Sequence, residues 1–220
     1  MASLAADLKH FDGRRVLITG HTGFKGSWLA LLLAQAGAKV TGIALPPETT
    51  PSHFTLLGLE NQIDSRECDI RDLSKLESEF DIAKPEVVFH LAAQAFVRKS
   101  YLDPHTTFST NMLGSANVLE CVSRTASVQT HVFVTSDKCY KNKEQQHGYV
   151  ETDELGGIDP YSQSKAGAEL VFNQYHGKYF LSEARWGEFA RPVRLNQSPI
   201  ESALASKIPD EPVTIAAARR

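Results

Sequence analysis

The apolar positions fall in short blocks of two textures. "RRVLITG" (14–20) is a continuous apolar run that stops at a glycine, and it predicts a buried strand. "KGSWLALLLAQAG" (25–37) is rich in alanine and leucine and places Gly37 where a C-terminal cap belongs, so it predicts a helix. "AKVTGIAL" (38–45) predicts a second strand, closed by Pro46 and Pro47. Residues 46–62 read as loop or a short helical piece. "SRECDI" (65–70) is a weak third strand, "DLSKLESEF" (72–80) a short helix, and "EVVFHLAA" (86–93), behind Pro85, a fourth strand. "DPHTTFSTNMLGSANVLECV" (103–122) has apolar residues at 112, 113, 118, 119 and 122, a helical spacing. "HVFVTSD" (131–137) predicts a fifth strand. "DPYSQSKAGAELVFNQYHGKYF" (159–180) predicts a further helix, with Pro160 near its first turn.

Strands alternate with helices, and the first, fourth and fifth strands lack clean period-two alternation. Strands buried on both faces look like this, so the expected class is α/β: a Rossmann-like, doubly wound parallel sheet with helices on both faces, a three-layer sandwich. After Phe180 the period fades through "LSEARWGEFARPVRLNQ". "SPIESALASKI" (198–208) predicts a short helix with Ser198 as cap, Pro199 at its first position and Glu201 completing a capping box. "VTIAAA" (213–218) predicts a sixth strand. The expected organisation is an N-terminal extension (1–12), a dinucleotide-binding domain (13–180), an atypical segment (181–212) and a last strand with the chain end (213–220).

Composition narrows the function classes. With 220 residues and 42% apolar content the chain can bury a large core, and disorder is not expected. A net charge of -3 and no long basic tract argue against a nucleic-acid partner. The longest apolar run, "LALLLA" at 29–34, is too short for a bilayer, and "MASLAADLKHF" is not a signal peptide. Cys68, Cys121 and Cys139 lie far apart, which suits a reducing compartment and a cytoplasmic location. The eight histidines are scattered, and no His/Cys spacing suggests a metal site.

"TGHTGFKG" sets Gly20, Gly23 and Gly26 between the first strand and the first helix. Missing side chains let backbone approach a pyrophosphate, and the helix start offers amide donors. A tight turn alone would also use glycines. Thr19 and Thr22 can bond phosphate or the turn, and Lys25 can sit over phosphate or in solvent. The second strand ends at "GIALPPE", with Leu45 near the place where an acidic residue often reads a ribose and Glu48 beyond two prolines. No arginine follows closely, which leans toward NAD over NADP. Asp69 is a candidate for an adenine edge or a plain surface carboxylate.

"YSQSK" places Tyr161 and Lys165 on one helix face, where a lysine favours the phenolate of a tyrosine general base. "FVTSDKCY" (133–140) aligns the hydroxyl, carboxylate and amine of Ser136, Asp137 and Lys138. In a parallel sheet the loops after strands one, four and five converge on one crevice, which gathers these groups near Gly20 and Tyr161. A solvated surface pair is the plain alternative for either motif. His90 reads as a satisfied core histidine and Cys139 and Tyr140 as packing residues. Asn111 either bonds a backbone carbonyl in the site or faces water.

"TGHTGFKGSWL", "DIRD", "VVFHLAAQAFVRKSY", "TSDKCYKN" and "GGIDPYSQSKAGAELV" resemble the sugar-nucleotide branch of the extended short-chain dehydrogenase/reductase family, the NAD-dependent epimerases and dehydratases. Within it they look most like the group that dehydrates CDP-glucose. The family's first motif is usually "TGGAGFIG"; His21, Thr22 and Lys25 make the narrower match specific. The resemblance covers roughly residues 13–180. It implies that Gly20, Thr22, Gly23, Phe24, Lys25 and Gly26 hold NAD, with Asp69 and Ile70 at the adenine, Leu91, Ala92 and Ala93 along the cofactor, and Asn111 beside them. It implies that Ser136 is the active-site hydroxyl and that Tyr161 and Lys165 serve both cofactor and catalysis. The implied reaction is oxidation at the sugar C4 with Tyr161 as base, loss of water across C5 and C6 with Asp137 as acid, and re-reduction at C6. Lys138 acts as a base if it loses its proton, or else orients Asp137 or steadies an enolate oxygen. The family pattern also implies a two-fold homodimer built on the helices at 103–122 and 159–180. The family's C-terminal domain, which grips the sugar nucleotide, has no counterpart here, so poor activity of this chain is expected. Another sugar-nucleotide epimerase or dehydratase, or a non-catalytic dinucleotide- or partner-binding remnant, are the alternatives.

Overall fold

The computed structural model describes residues 8–146, 148–150 and 152–175, together with the backbone of 191–194 and 213–217. The elements are β1 (Arg15–Thr19), α1 (Phe24–Gln35), β2 (Lys39–Ala44), α2 (His53–Leu56), β3 (Asp64–Glu67), α3 (Leu73–Ala83), β4 (Val87–His90), α4 (Val97–Leu102), α5 (Pro104–Phe108), α6 (Ser115–Arg124), β5 (Thr130–Val134), α7 (Pro160–Tyr175), β6 (Arg191–Arg194) and β7 (Val213–Ala217). The sheet order is β3-β2-β1-β4-β5-β7-β6. All pairs are parallel, with Val16 beside Val40 on one side and Val87 on the other. The expected doubly wound sheet is therefore present. The strand expected at 213–218 pairs with β5, but it is seventh in chain order because β6 precedes it. The short helix expected at 198–208 and the end of the helix expected to reach 180 lie outside the described residues.

The unbroken apolar runs are explained by the two core layers. In β1, Val16 and Ile18 join Leu33, Val40, Phe89 and Val132 on one face. Leu17, between them, joins Ile43, Leu76, Phe80, Val88 and Val118 on the other. Successive side chains of a strand point to opposite faces, so a strand covered on both sides has no position that faces solvent. Full burial of each such side chain contributes about 1.5–3 kcal/mol. A third cluster, Leu119, Phe133, Ala168 and Phe172, packs α6 and α7 against β5.

Two predicted elements are redrawn. The fourth strand stops at His90, and Leu91–Ala93 continue as open backbone above the sheet. The helix expected over 103–122 is three consecutive pieces: α5, capped by Asp103, then a π segment over Ser109–Gly114, then α6. A π turn adds a residue to the helical circuit and re-aims what it carries. Here Gly114 lets the chain pass against Ile70, because a Cβ would stand 2.6 Å from Ile70 Cδ1. Periodicity alone could not show the insertion, since the apolar spacing survives on either side of it.

His131, on β5, is 2% exposed, and neither ring nitrogen has a hydrogen-bond partner among the described residues. It packs edge-on to Phe133 at 5.9 Å. Burial lowers its pKa from 6.5 to about 3. The unfolded chain therefore takes up a proton below pH 6.5 that the folded chain refuses until about pH 3, and stability falls with pH through that window. The expected result for His131→Phe is a flatter decline between pH 6 and 4, by up to about 1.4 kcal/mol per pH unit. Urea unfolding across that range checks it; an unchanged slope would show that His131 does not carry the acid sensitivity.

Candidate active site

The sheet order reverses between β1 and β4, and the crevice of such a sheet opens at that point, above the strand ends. Gly20 has φ +79° and leaves β1 toward α1 in the left-handed region. Its backbone runs against the segment after β4, so that a Cβ there would lie 2.7 Å from Ala92 N. Gly26 is just as confined, with a Cβ position 2.1 Å from Gly20 O. Gly23 differs: it is exposed, and a Cβ would meet Gly20 O at 3.3 Å and nothing else close. Two of the three glycines thus fold the loop, and the third keeps its outer surface clear. Gly23 is also the N-cap of α1, with no side chain capping the helix, so the first-turn amides of Phe24 and Lys25 face outward. Half-buried Leu91, Ala92 and Ala93 line the opposite wall.

The polar residues of the loop serve the turn. Thr22 Oγ1 donates to Leu45 O at 2.9 Å. Thr19 Oγ1 accepts from Leu91 N and Ala92 N, both at 3.2 Å. Its own proton then goes to His90 Nδ1 at 2.7 Å. Ser115 Oγ donates to Asn111 O at 2.7 Å, so it accepts from His90 Nε2 at 3.0 Å. These directions fix a neutral imidazole carrying its proton on Nε2. Burial, helped by His131 and Lys165, holds His90 well below the ordinary histidine range. His90 is the satisfied core histidine expected of it, and it ties the glycine turn to the π segment.

His21, where the resembled family usually has glycine, fills the space over β2. A Cβ on Gly42 would lie 2.4 Å from its ring. Its Nε2 meets Ser65 Oγ at 2.7 Å, and burial lowers its pKa to about 4. At the tip of β2, Glu48 pairs with Lys99 of α4 at 2.8 Å. Sequence adjacency hid that cation, which arrives from 51 residues away.

Asp69 turns its carboxylate onto Arg71, at 2.9 Å to Nε and 2.5 Å to Nη2, and this pairing lowers its pKa. Ile70 is 4% exposed and points into the core, so its side chain does not line the crevice. Asn111 does not face water: it is 1% exposed, accepting from Gln94 N at 2.8 Å and donating to the backbone carbonyl Gln94 O at 3.0 Å and to Ser164 Oγ at 2.8 Å. Its side chain is committed to the protein and braces the segment after β4.

Tyr161 and Lys165 stand on the inner face of α7, at 8% and 7% exposure. Asp159 caps the helix through Ser162 N at 2.9 Å, and Ser100 Oγ accepts from Tyr161 N at 3.2 Å. Ser164 Oγ donates to Tyr161 O at 2.6 Å, which completes a chain from Gln94 through Asn111 to the tyrosine turn. Beyond β5, Ser136 opens a 3-10 turn over Asp137–Cys139. Ser136 Oγ donates to Asp137 Oδ1 at 3.2 Å and accepts from Lys138 N at 3.3 Å. The Ser136 hydroxyl lies close enough to the Tyr161 phenol to act on its pKa. Asp137 and Lys138 are exposed, whereas Tyr161 and Lys165 are buried.

The electrostatics depart from the sequence expectation. Burial raises the Tyr161 pKa, and nearby Asp137 and Asp159 push the same way; the Ser136 hydroxyl opposes them. Burial lowers Lys165 to about 8, with Glu169 acting upward and Lys25 downward. Lys25 of the glycine loop therefore shares a field with Lys165. Lys138 faces Asp159, whose carboxyl its charge helps to keep ionised. The structure thus brings together the glycine loop, the Leu91–Ala93 wall, Ser136, Asp137, Lys138, Tyr161 and Lys165. It sets Ile70 and Asn111 behind that surface. Ser100, Ser164, Thr135 and Glu169, which support the motifs, were not identified from sequence; serines and a glutamate near a motif carry no distinguishing spacing.

A family model described as GDP-mannose 4,6 dehydratase matches residues 17–216. The chain is 47% identical over 174 residues to a CDP-glucose 4,6-dehydratase of Salmonella typhimurium, covering 79% of this chain and 48% of the relative. It spans about half the length of the curated relatives it matches. Among solved structures it is similar to a UDP-glucose 4-epimerase of Brucella ovis in complex with NAD, with TM-score 0.66, 28% identity and coverage of 76% and 49%. The fold also matches the epimerase Mth375 of Methanothermobacter thermautotrophicus, with TM-score 0.70, 22% identity and coverage of 97% and 74%. The match runs through nearly the whole chain and takes in both walls of the crevice: the chain belongs to the GDP-mannose 4,6 dehydratase family.

Proposed function

We propose that the protein is an NAD-dependent dehydratase of a sugar nucleotide, with CDP-glucose as substrate. The observation that carries the reaction class is the meeting of Ser136 and Asp137 with Tyr161 while Lys165 is buried one turn further on. The substrate is supported by the 47% identity to a CDP-glucose 4,6-dehydratase, against about 30% for the epimerases. The crevice suits a dinucleotide: an uncapped helix start, a glycine with clear space, an open backbone wall and two cations, Lys25 and Lys165.

NAD, when bound, supplies a reversible hydride acceptor. Lys25 and the first-turn amides of α1 would hold its phosphates, and Lys165 and Tyr161 would face its ribose. Tyr161 would remove the proton of the sugar 4-hydroxyl, with Ser136 holding that oxygen. The raised Tyr161 pKa means that the phenol keeps its proton until a bound cation or a closer Lys165 ammonium offsets burial. Asp137 would protonate the departing 6-hydroxyl. Lys138, near enough to Asp159 to act on its carboxyl, would steady the oxygen of an enolate.

We further propose a homodimer through the exposed faces of the helices at 97–124 and α7. Val118 and Leu119 are buried, but Leu102, Leu113 and Leu170 are 87%, 55% and 60% exposed. Exposed leucines on helices that pack together are expected to meet a partner. The buried thiols of Cys68, Cys121 and Cys139 fit the reducing cytoplasm. No described helix is long and apolar enough to cross a membrane.

The glycines of the loop divide between folding and binding. Gly23→Ala is expected to keep the thermal transition while weakening NAD at least ten-fold, about 1.4 kcal/mol. Gly26→Ala is expected to damage the fold itself, because its Cβ position is occupied. Melting curves and NAD titration of both variants check this; equal loss of stability in the two would refute the division.

For activity, the chain is incubated with NAD and CDP-glucose, and the 4-keto-6-deoxy product is sought by mass and NMR. Slow conversion is expected, with NAD bound more tightly than NADP. Asp137→Asn should slow it about 100-fold or more while leaving NAD binding intact. Conversion of a different sugar nucleotide, with CDP-glucose inert, would reassign the substrate. Failure to bind either dinucleotide would favour the partner-binding reading.

For assembly, sedimentation should show a dimer that Leu113→Glu converts to monomer. A wild-type monomer at working concentration would refute it.

A further inference from the structure

We propose that Thr135 and Glu169 form a positioning brace, which locks the serine turn to the tyrosine–lysine helix and keeps a negative charge one helical turn from Lys165. The proposal rests on the reading of Lys165 as a cofactor-facing lysine. Thr135 is 9% exposed and is the residue between the end of β5 and Ser136. Its Oγ1 donates to Glu169 Oε1 on α7. The two segments that carry the candidate chemistry are thus joined by a hydrogen bond to a carboxylate, the stronger kind, in a partly buried place. Glu169 is half-buried on the inner side of the helix. A carboxylate there is costly unless it is paired, so its presence calls for a compensating role.

Lys165 supplies that role. It lies four residues before Glu169 and shares its helix face. Lysine before glutamate is the poorer order for stabilising a helix, so helix propensity is a weak reason for the pair. The charged and titratable groups facing Lys165 come from several elements. Glu169 and Tyr161 lie on α7, Cys139 follows β5, Lys25 opens α1, and His90 ends β4. Burial and Lys25 both act against the ammonium; the Glu169 charge acts for it. Thr135 fixes the carboxylate in place, so a shift of the strand end carrying Ser136 would be felt at Lys165. The brace therefore couples the position of the serine turn to the charge of the lysine.

The test reads Lys165 directly in the full chain and needs neither cofactor nor substrate. Lysines are acylated competitively across pH 6–10 and quantified peptide by peptide, with exposed Lys39 and Lys75 as internal standards. The Lys165 midpoint is expected near 8 in the parent chain. In Glu169→Gln it should fall by about one pH unit, since the variant removes an opposing charge at one-turn distance. Glu169→Asp should restore part of the shift. Thr135→Val should move the midpoint the same way by less, and Thr135→Ser should restore it. An unchanged midpoint in both Glu169→Gln and Thr135→Val, with circular dichroism preserved, would overturn the proposal. A parallel NAD titration separates the two readings. A shifted midpoint in a chain that binds no NAD sustains the brace and overturns the dinucleotide reading.

Discussion

The contact between the backbone at Gly20 and the backbone at Ala92 sets the rest of the site. The two strand ends it joins, β1 and β4, flank the point where the sheet order reverses. No side chain fits between them, so the crevice floor is made of peptide groups, and Thr19 secures both sides by accepting from Leu91 and Ala92. His90 continues that hold downward to Ser115, and Ser115 to Asn111. Asn111 then reaches Gln94 on one side and, through Ser164, the Tyr161 turn on the other. One connected set of hydrogen bonds thus spans the glycine turn, the Leu91–Ala93 segment and the tyrosine helix. The side chains that link it, Thr19, His90, Ser115, Asn111 and Ser164, are buried, where an unmade bond costs about 1–3 kcal/mol, so the set resists piecemeal rearrangement.

That network also explains why so many buried groups are neutral. His21 and His90 sit within the protein as uncharged imidazoles because burial outweighs their partners. Lys165 is the exception in kind: burial brings it down from 10.5 only to about 8, against the upward pull of Glu169. The crevice therefore has a neutral foundation and a small number of groups whose charge can change. This is the condition under which one added charge, from a ligand or a shifted carboxylate, has a large effect.

Much of the fold was legible because its core is two-sided. Continuous apolar runs in β1, β4 and β5 can only be satisfied by helices on both faces, and the intervening helices are long enough to supply them. The glycine loop was legible by its place between a strand and a helix. The supporting residues were not. Asn111 lies in a π turn that leaves no trace in apolar spacing, and Ile70 belongs to the core because Gly114 makes room for it. Lys99 meets Glu48 only because α4 folds over the end of β2. Pairwise motifs such as tyrosine four residues before lysine specify a shared face, but not the burial that raises the phenol and lowers the amine. Those directions depend first on burial and then on side chains of the Ser136 turn and α1 as well as of α7 and its cap.

The candidate chemistry is divided between two environments, and the division has a mechanistic consequence. Tyr161 and Lys165 are buried, and their properties are fixed by the described residues. Asp137 and Lys138 stand exposed on a single 3-10 turn, held mainly by Ser136 and by the facing Asp159. In the proposed reaction, the redox step at the buried pair needs NAD, a sugar hydroxyl at Tyr161 and loss of the phenol proton. Elimination of water requires in addition that Asp137 meet the departing hydroxyl with solvent displaced, because a carboxyl competes poorly as an acid against bulk water. In the proposed reaction, oxidation would use the buried Tyr161 and Lys165, and elimination would use Asp137, with the substrate displacing water from its exposed turn.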